Sequence, residues 1–232
     1  MLFRDVVGQE EIKSELARSY KKGRVSHCQL FCGPKGSGSL PLAIAYARMV
    51  LCGDEANTDQ ACGLKLSELK HPDLHFIYPV ANNLDVKSKA ISVNFLQKWR
   101  EFFHSKPYGS LYDWYLSIGI ENKQGKIGTD EVSDIVKKMS LKAYEGGWKV
   151  AIVWMAEKMN LSATNKLLKL IEEPPEKTLF LFVSEDTSFL AKTLTSRCQT
   201  IQLKKLSSEK VSAALLSKGY SSEEARSASI KS

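Results

Sequence analysis

Hydrophobic positions recur along this chain in two alternating rhythms. Over residues 9–22 (QEEIKSELARSYKK) Ile12, Leu16 and Tyr20 fall four residues apart with charges between them, the spacing of one helix face. His27-Cys-Gln-Leu-Phe-Cys32 is a short, mostly apolar run that stops at GPKGSGS, which predicts a strand running into a loop. PLAIAYARMVL (41–51) resumes a helical pattern. Its proline is tolerated in the first turn, where no intrahelical bond needs the missing N–H. LHFIYPV (74–80) predicts a strand ended by proline, and KVAIVWM (149–155) a fully buried one. NLSATNKLLKLI (160–171) predicts a helix stopped by Glu-Glu-Pro-Pro, and TLFLFV (178–183) a further apolar strand. Strands spaced by helices predict an α/β fold with a parallel sheet and crossover connections.

Two stretches stand outside this alternation. Residues 81–126 form an insertion with two candidate helices, carrying Phe95, Leu96, Trp99, Phe102 and Phe103, then Leu111, Trp114, Tyr115 and Ile118, joined by the turn-rich HSKPYGS. Aromatic density can mark a base-stacking surface, but the helical spacing of these side chains predicts core packing in a helical hairpin. After Leu203 the composition turns to Lys, Ser, Ala and Glu, with helical pieces SSEKVSAALLSKG and SSEEARSAS. The second opens with a capping box of Ser221 and Glu224.

Composition narrows the class. The 232 residues carry 33 Lys+Arg against 26 Asp+Glu, a net charge of +7, and are 43% hydrophobic, which fits a globular protein with one large domain and a remainder. That charge lies within the range of ordinary solubility and alone is weak support for a nucleic-acid partner. No apolar run reaches the roughly 20 residues that span a bilayer, and MLFRDVVGQEEIK lacks a signal-peptide apolar core, so a cytoplasmic protein without a membrane partner is expected. Cys28, Cys32, Cys52, Cys62 and Cys198 are odd in number and irregular in spacing, which suits a reducing compartment better than a disulfide framework.

The sharpest local feature is Gly33-Pro34-Lys35-Gly36-Ser37-Gly38-Ser39-Leu40. A phosphate-binding loop uses glycines to curl successive backbone N–H groups around phosphates at a helix N-terminus. It then requires Lys for the β/γ-phosphates and Ser or Thr for Mg²⁺. Those two positions are Ser39 and Leu40, so the loop keeps its shape and loses its chemistry. Lys35 starts from a different place in the loop and is not expected to substitute. A dinucleotide fingerprint fails as well, because Gly38 is followed by Ser39, Leu40 and Pro41.

Residues 149–175 (KVAIVWMAEKMNLSATNKLLKLIEEPP), the following strand and Ser196-Arg197-Cys198, with FRDVVGQEEI, HCQLFCGPKGSG and HPDL (71–74), closely resemble the clamp-loader subunits of the bacterial replicative polymerase, within the AAA+ class. The resemblance covers residues 2–78 and 127–206 and leaves the insertion out. It implies a P-loop AAA+ three-layer parallel-sheet domain over 1–205, with the helical insertion at about 81–126, then the start of a small helical lid over 206–232. The family's C-terminal collar is absent from this chain, which implies the N-terminal part of a longer subunit and a monomeric fragment.

In that family the strand matching 149–155 ends in Asp-Glu, which organises Mg²⁺ and polarises water. Here those positions are Trp154 and Met155, and Glu157 is expected to leave the strand end. With both the loop lysine and the strand-end carboxylates lost, hydrolysis and a bound cofactor are not expected, as in the family's non-hydrolysing branch. The resemblance gives Arg197 the role of an arginine finger reaching the ATP of a neighbouring subunit. It implies ATPase subunits of the gamma/tau type and a delta-type subunit as partners, and the sliding clamp and primed DNA through the assembled complex. An ordinary surface arginine, an active ATPase with a divergent loop, and a free-standing DNA-binding module are the competing readings. The family often carries four zinc-binding cysteines before HPD. Only Cys52 and Cys62 remain, with Lys65 and Glu68 in the other two places. His71 and His75 on a strand would lie about 13 Å apart, so no metal is expected and the two cysteines read as small buried residues.

Overall fold

The computed structural model describes residues 1–53, 60–145 and 147–231. In chain order the first elements are α1 (Glu10–Lys21), β1 (Cys28–Cys32), α2 (Ser39–Cys52), α3 (Gln60–Ser67), β2 (Leu74–Ile77), α4 (Leu96–Ser105) and α5 (Leu111–Ser117). There follow α6 (Thr129–Ser140), β3 (Lys149–Trp154), α7 (Leu161–Glu172), β4 (Thr178–Ser184), α8 (Lys192–Thr195), β5 (Gln199–Gln202), α9 (Ser208–Ser217) and α10 (Ser222–Lys231). The strands pair in parallel in the order β2-β3-β4-β1-β5.

Alternation along the strands builds three layers. Phe31, Val150, Ile152, Leu179 and Leu181 face one core with Leu42, Tyr46 and Val50 of α2 and the insertion. Leu30, Ala151, Val153, Phe180 and Phe182 face the other, against Val132, Ile135 and Met139 of α6 and Leu167 and Ile171 of α7. Because the interior strands β3 and β4 are buried on both faces, as is β1 between β4 and β5, they read as largely apolar runs. The sequence did not announce β5. It is a four-residue edge strand, QTIQ, with polar and mostly exposed side chains, as an edge that resists further pairing should be.

The insertion packs as its periodicity predicts. Trp99 and Trp114 are fully buried, Trp99 stacks on Tyr78 at 4.2 Å, and the two indoles meet edge to face at 5.3 Å. Its neck is closed by an antiparallel bridge between Val80 and Lys126. The strand expected over 74–80 is shorter, ending at Ile77, because Ser92 takes over beyond it: its hydroxyl accepts the Tyr78 N–H at 3.0 Å and donates to the Tyr78 carbonyl at 3.2 Å. After β5, α9 and α10 form a helical pair, with Glu224 Oε2 accepting the Ser221 N–H and hydroxyl at 2.9 and 2.7 Å. No helix of the described residues is long and apolar enough to cross a membrane.

Candidate functional site

The phosphate loop leaves the C-terminal end of β1, where the Gly33 N–H donates to the Ser184 carbonyl at 3.2 Å and ties the loop to β4. Gly36 and Gly38 sit at φ +80° and +87°, the left-handed region that lets the loop curl before α2 begins at Ser39. The two positions that carry chemistry in a working loop turn inward. The Ser39 hydroxyl lies 2.9 Å from that of Ser37, and Leu40 is 5% exposed within the core. Lys35 is exposed at the rim of the cavity in front of the loop. The cavity in front of the loop measures about 40 Å³. That holds a little water, whereas ligand pockets are roughly 300–1,000 Å³.

The far wall of this cavity is Trp154 and Met155. Trp154 is 3% exposed, its ring 5.2 Å from Trp99 and 5.8 Å from Phe102, so the strand end that should carry a carboxylate is the tip of the insertion's aromatic cluster. Met155 leaves the strand with φ +55°. Glu157 lies beyond the end of β3. It lies in the turn Ala156–Lys158 and folds back toward β4, where its Oε1 accepts the Glu185 N–H at 3.4 Å. Glu185 lines the cavity, its carboxyl held above the usual range by burial and then by the Glu157 charge.

Arg197 follows α8, at the end of α7 and the start of β5. It does not project freely. Its Nε and Nη2 lie 2.7 and 2.5 Å from one oxygen of Glu172, and Nη1 donates to the Thr193 carbonyl at 2.9 Å. Both side chains of the pair remain partly exposed. Cys198 anchors the base of the arginine: its thiol engages Cys28 of β1, which together with burial holds the Cys28 thiol above its ordinary pKa.

Cys52 ends α2 and Cys62 lies in the first turn of α3; both are buried, but they are joined as a disulfide with Cα atoms 5.7 Å apart, which corrects the reading of two unpaired residues. The strand assumed for HPDLHF begins only at Leu74. His71 therefore precedes the strand, and its ring nitrogen and the two sulfurs all lie within 4.8 Å of one another, a grouping that leaves His75 out. A structural zinc site takes four N/S ligands, and with both sulfurs held in the disulfide His71 is the single remaining donor of this group. His71 is also engaged on both sides, by the Asp73 N–H at 3.1 Å and Glu145 Oε2 at 3.0 Å. The sequence reading weighed His71 with His75 and did not place it beside the two cysteines, because that placement depends on the turn through Pro72 and Asp73.

This sheet order, with the curled loop after β1, defines a P-loop AAA+ fold. The A156S mutant of RuvB from Thermotoga maritima shares the fold, with a TM-score of 0.51 at 16% identity over 95% of this chain and 56% of that one. The chain belongs to the family described as DNA polymerase III, delta subunit, whose model matches residues 8–122 and 116–207. It is delta-prime-like: the delta' subunit of Bacillus subtilis DNA polymerase III is 26% identical over 94% of this chain and 54% of its own length. The tau subunit of the same organism is 28% identical over 90% of this chain and 30% of its own. The chain thus spans about half the length of that delta' relative and under a third of the tau relative.

Proposed function

We propose that this chain acts as a non-hydrolysing clamp-loader subunit that lends Arg197 to the nucleotide of a neighbouring ATPase of the tau type. The observation that carries the first half is the double replacement at the phosphate loop. Ser39 and Leu40 are buried, and Trp154 lies in an aromatic core, so the positions that serve phosphate charge neutralisation and metal organisation in a working site carry no side chain to perform it. Phosphoryl transfer depends almost wholly on those two services.

The second half rests on Arg197 being bound to an exposed partner. An exposed ion pair contributes about 0.2–1 kcal/mol. An arginine meeting charge on a γ-phosphate contributes about 10³–10⁵ in rate, equivalent to roughly 4–7 kcal/mol. The ion pair with Glu172 is therefore weak enough to be given up, and the gain from a neighbour's phosphate is made mainly in the transition state. The planar guanidinium suits charge spread over several phosphate oxygens.

In the assembled complex, with a delta-type subunit and the ATPase, the chain would help place the sliding clamp on primed DNA. Titration calorimetry of the chain alone with ATP and Mg²⁺ tests the first half. No heat up to about 1 mM is expected, and micromolar binding overturns it.

A further inference from the structure

The space in front of the phosphate loop is filled by the chain itself. Tyr108 stands in the loop between α4 and α5, and its hydroxyl accepts the Val7 N–H at 2.8 Å, a contact spanning 101 residues. Its ring lies against Gly38, with Cε1 only 3.1 Å from where a β-carbon on that glycine would stand. Tyr108 and its neighbours Pro107 and Gly109 line the small cavity together with the whole of Gly33–Pro41. Burial raises the phenol above its ordinary pKa, so the hydroxyl remains protonated at neutral pH.

The turn that presents Tyr108 is braced on both sides. A β-carbon at Gly109 would stand 2.8 Å from two ring carbons of Phe102, so only glycine lets the turn press this closely on α4. Lys106 pairs with Asp113 at 2.8 Å, and Asp113 in turn accepts from the Ser110 N–H and hydroxyl at 2.9 and 2.6 Å. These contacts hold the Asp113 carboxyl down to about 2, Lys106 contributing most.

On the opposite side, the segment that receives Tyr108 is clasped to the loop and to the chain after β5. Gln9 Nε2 donates to the Ser37 carbonyl at 3.1 Å and to the Lys204 carbonyl at 2.7 Å.

We infer that Tyr108 is an intramolecular substitute for a nucleotide, joining the insertion, the phosphate loop and the Val6–Gln9 segment permanently where a bound ligand would join them on demand. The backbone cradle of the loop is intact, so it is the ring, together with the missing lysine, that keeps nucleotides out. The inference rests on the reading of the loop as chemically silent but makes a separate claim about what occupies it.

Two variants test it, with fluorescent mant-ADP as the probe and amide hydrogen exchange as the second readout. Tyr108→Phe keeps the ring and removes the acceptor, and Val7 exchange should quicken by about three- to tenfold. Tyr108→Ala opens the cavity and should bind mant-ADP with a dissociation constant of about 0.1–1 mM, where the unmodified chain binds none. Unchanged Val7 exchange in Tyr108→Phe overturns the inference, as does a cooperatively folded Tyr108→Ala that binds no mant-ADP. Either result leaves the non-hydrolysing reading standing. Micromolar mant-ADP binding by the unmodified chain overturns both.

Discussion

Arg197 rests two of its guanidinium nitrogens, at 2.7 and 2.5 Å, on a single carboxylate oxygen of Glu172, the first glutamate of the Glu-Glu-Pro-Pro that ends α7. The pair links α7 to the turn after α8 and stores the arginine in a defined place without burying it. Because it is partly exposed, Glu172→Ala should cost no more than about 1 kcal/mol in chemical denaturation. If Glu172 only stores the arginine, hydrolysis by a complex of this chain with a tau-type ATPase should be unchanged or modestly faster in that variant. A fall matching that of an arginine deletion would show that Glu172 instead positions Arg197 for catalysis.

Trp154 provides a stability prediction. It touches Trp99 and Phe102 at the centre of the aromatic cluster, so Trp154→Ala should cost about 3–5 kcal/mol in urea unfolding. Trp154→Asp, which restores a carboxylate at the strand end, should cost at least as much, because it leaves an unpaired charge among aromatic rings. It should also gain no ATPase activity, and hydrolysis above background by Trp154→Asp would contradict the assignment.

Rebuilding the phosphate loop should fail in the same way. Ser39→Lys with Leu40→Thr returns the motif's chemistry to the sequence, but both positions are at most 9% exposed, and Tyr108 remains in front of them. The expected result is a less stable chain with no steady-state hydrolysis, measured by phosphate release.

Glu131, in the first turn of α6, yields a pH dependence. It is 4% exposed, accepts the Ser92 N–H at 2.6 Å, and burial raises its carboxyl to about 7. The folded chain therefore holds a proton that the unfolded chain releases near its ordinary value of 4.5. The associated stability is present in full below that value and is lost as pH rises to about 7, an effect on the order of 1–3 kcal/mol. Glu131→Gln keeps an acceptor for Ser92 without the ionisation. Thermal unfolding of this variant should lose that slope, and at pH 8 it should melt above the unmodified chain.

Much of the fold was legible because the parallel sheet writes itself as apolar runs. LFLFV in β4 and VAIVW in β3 need no partner to be recognised, and the stripe Trp99, Phe102 and Phe103 marks a buried face of α4. The polar edge strand β5 was not legible, nor was α6, which buries little more than Val132, Ile135 and Met139 among charges. At the site, Ser39, Leu40, Trp154 and Met155 could be read from the sequence as the positions where the motif's residues are replaced, and the structure places all four along one small cavity. The sequence could not identify Tyr108 or Glu172, whose roles come from contacts across 101 and 25 residues respectively, to Val7 and Arg197. The only local signal for Tyr108 was the Pro107-Tyr108-Gly109 turn, which marks a bend and not its destination.

The most direct measurement is ATP turnover by this chain in complex with the tau-type ATPase of its own organism, comparing the unmodified chain with Arg197→Ala and Arg197→Lys. Co-elution should be preserved in both variants. Hydrolysis at the shared interface should fall by about 10³-fold or more for Arg197→Ala. Arg197→Lys should recover little, since an ammonium cannot fork across phosphate oxygens. Full activity in the Arg197→Ala complex would contradict the account.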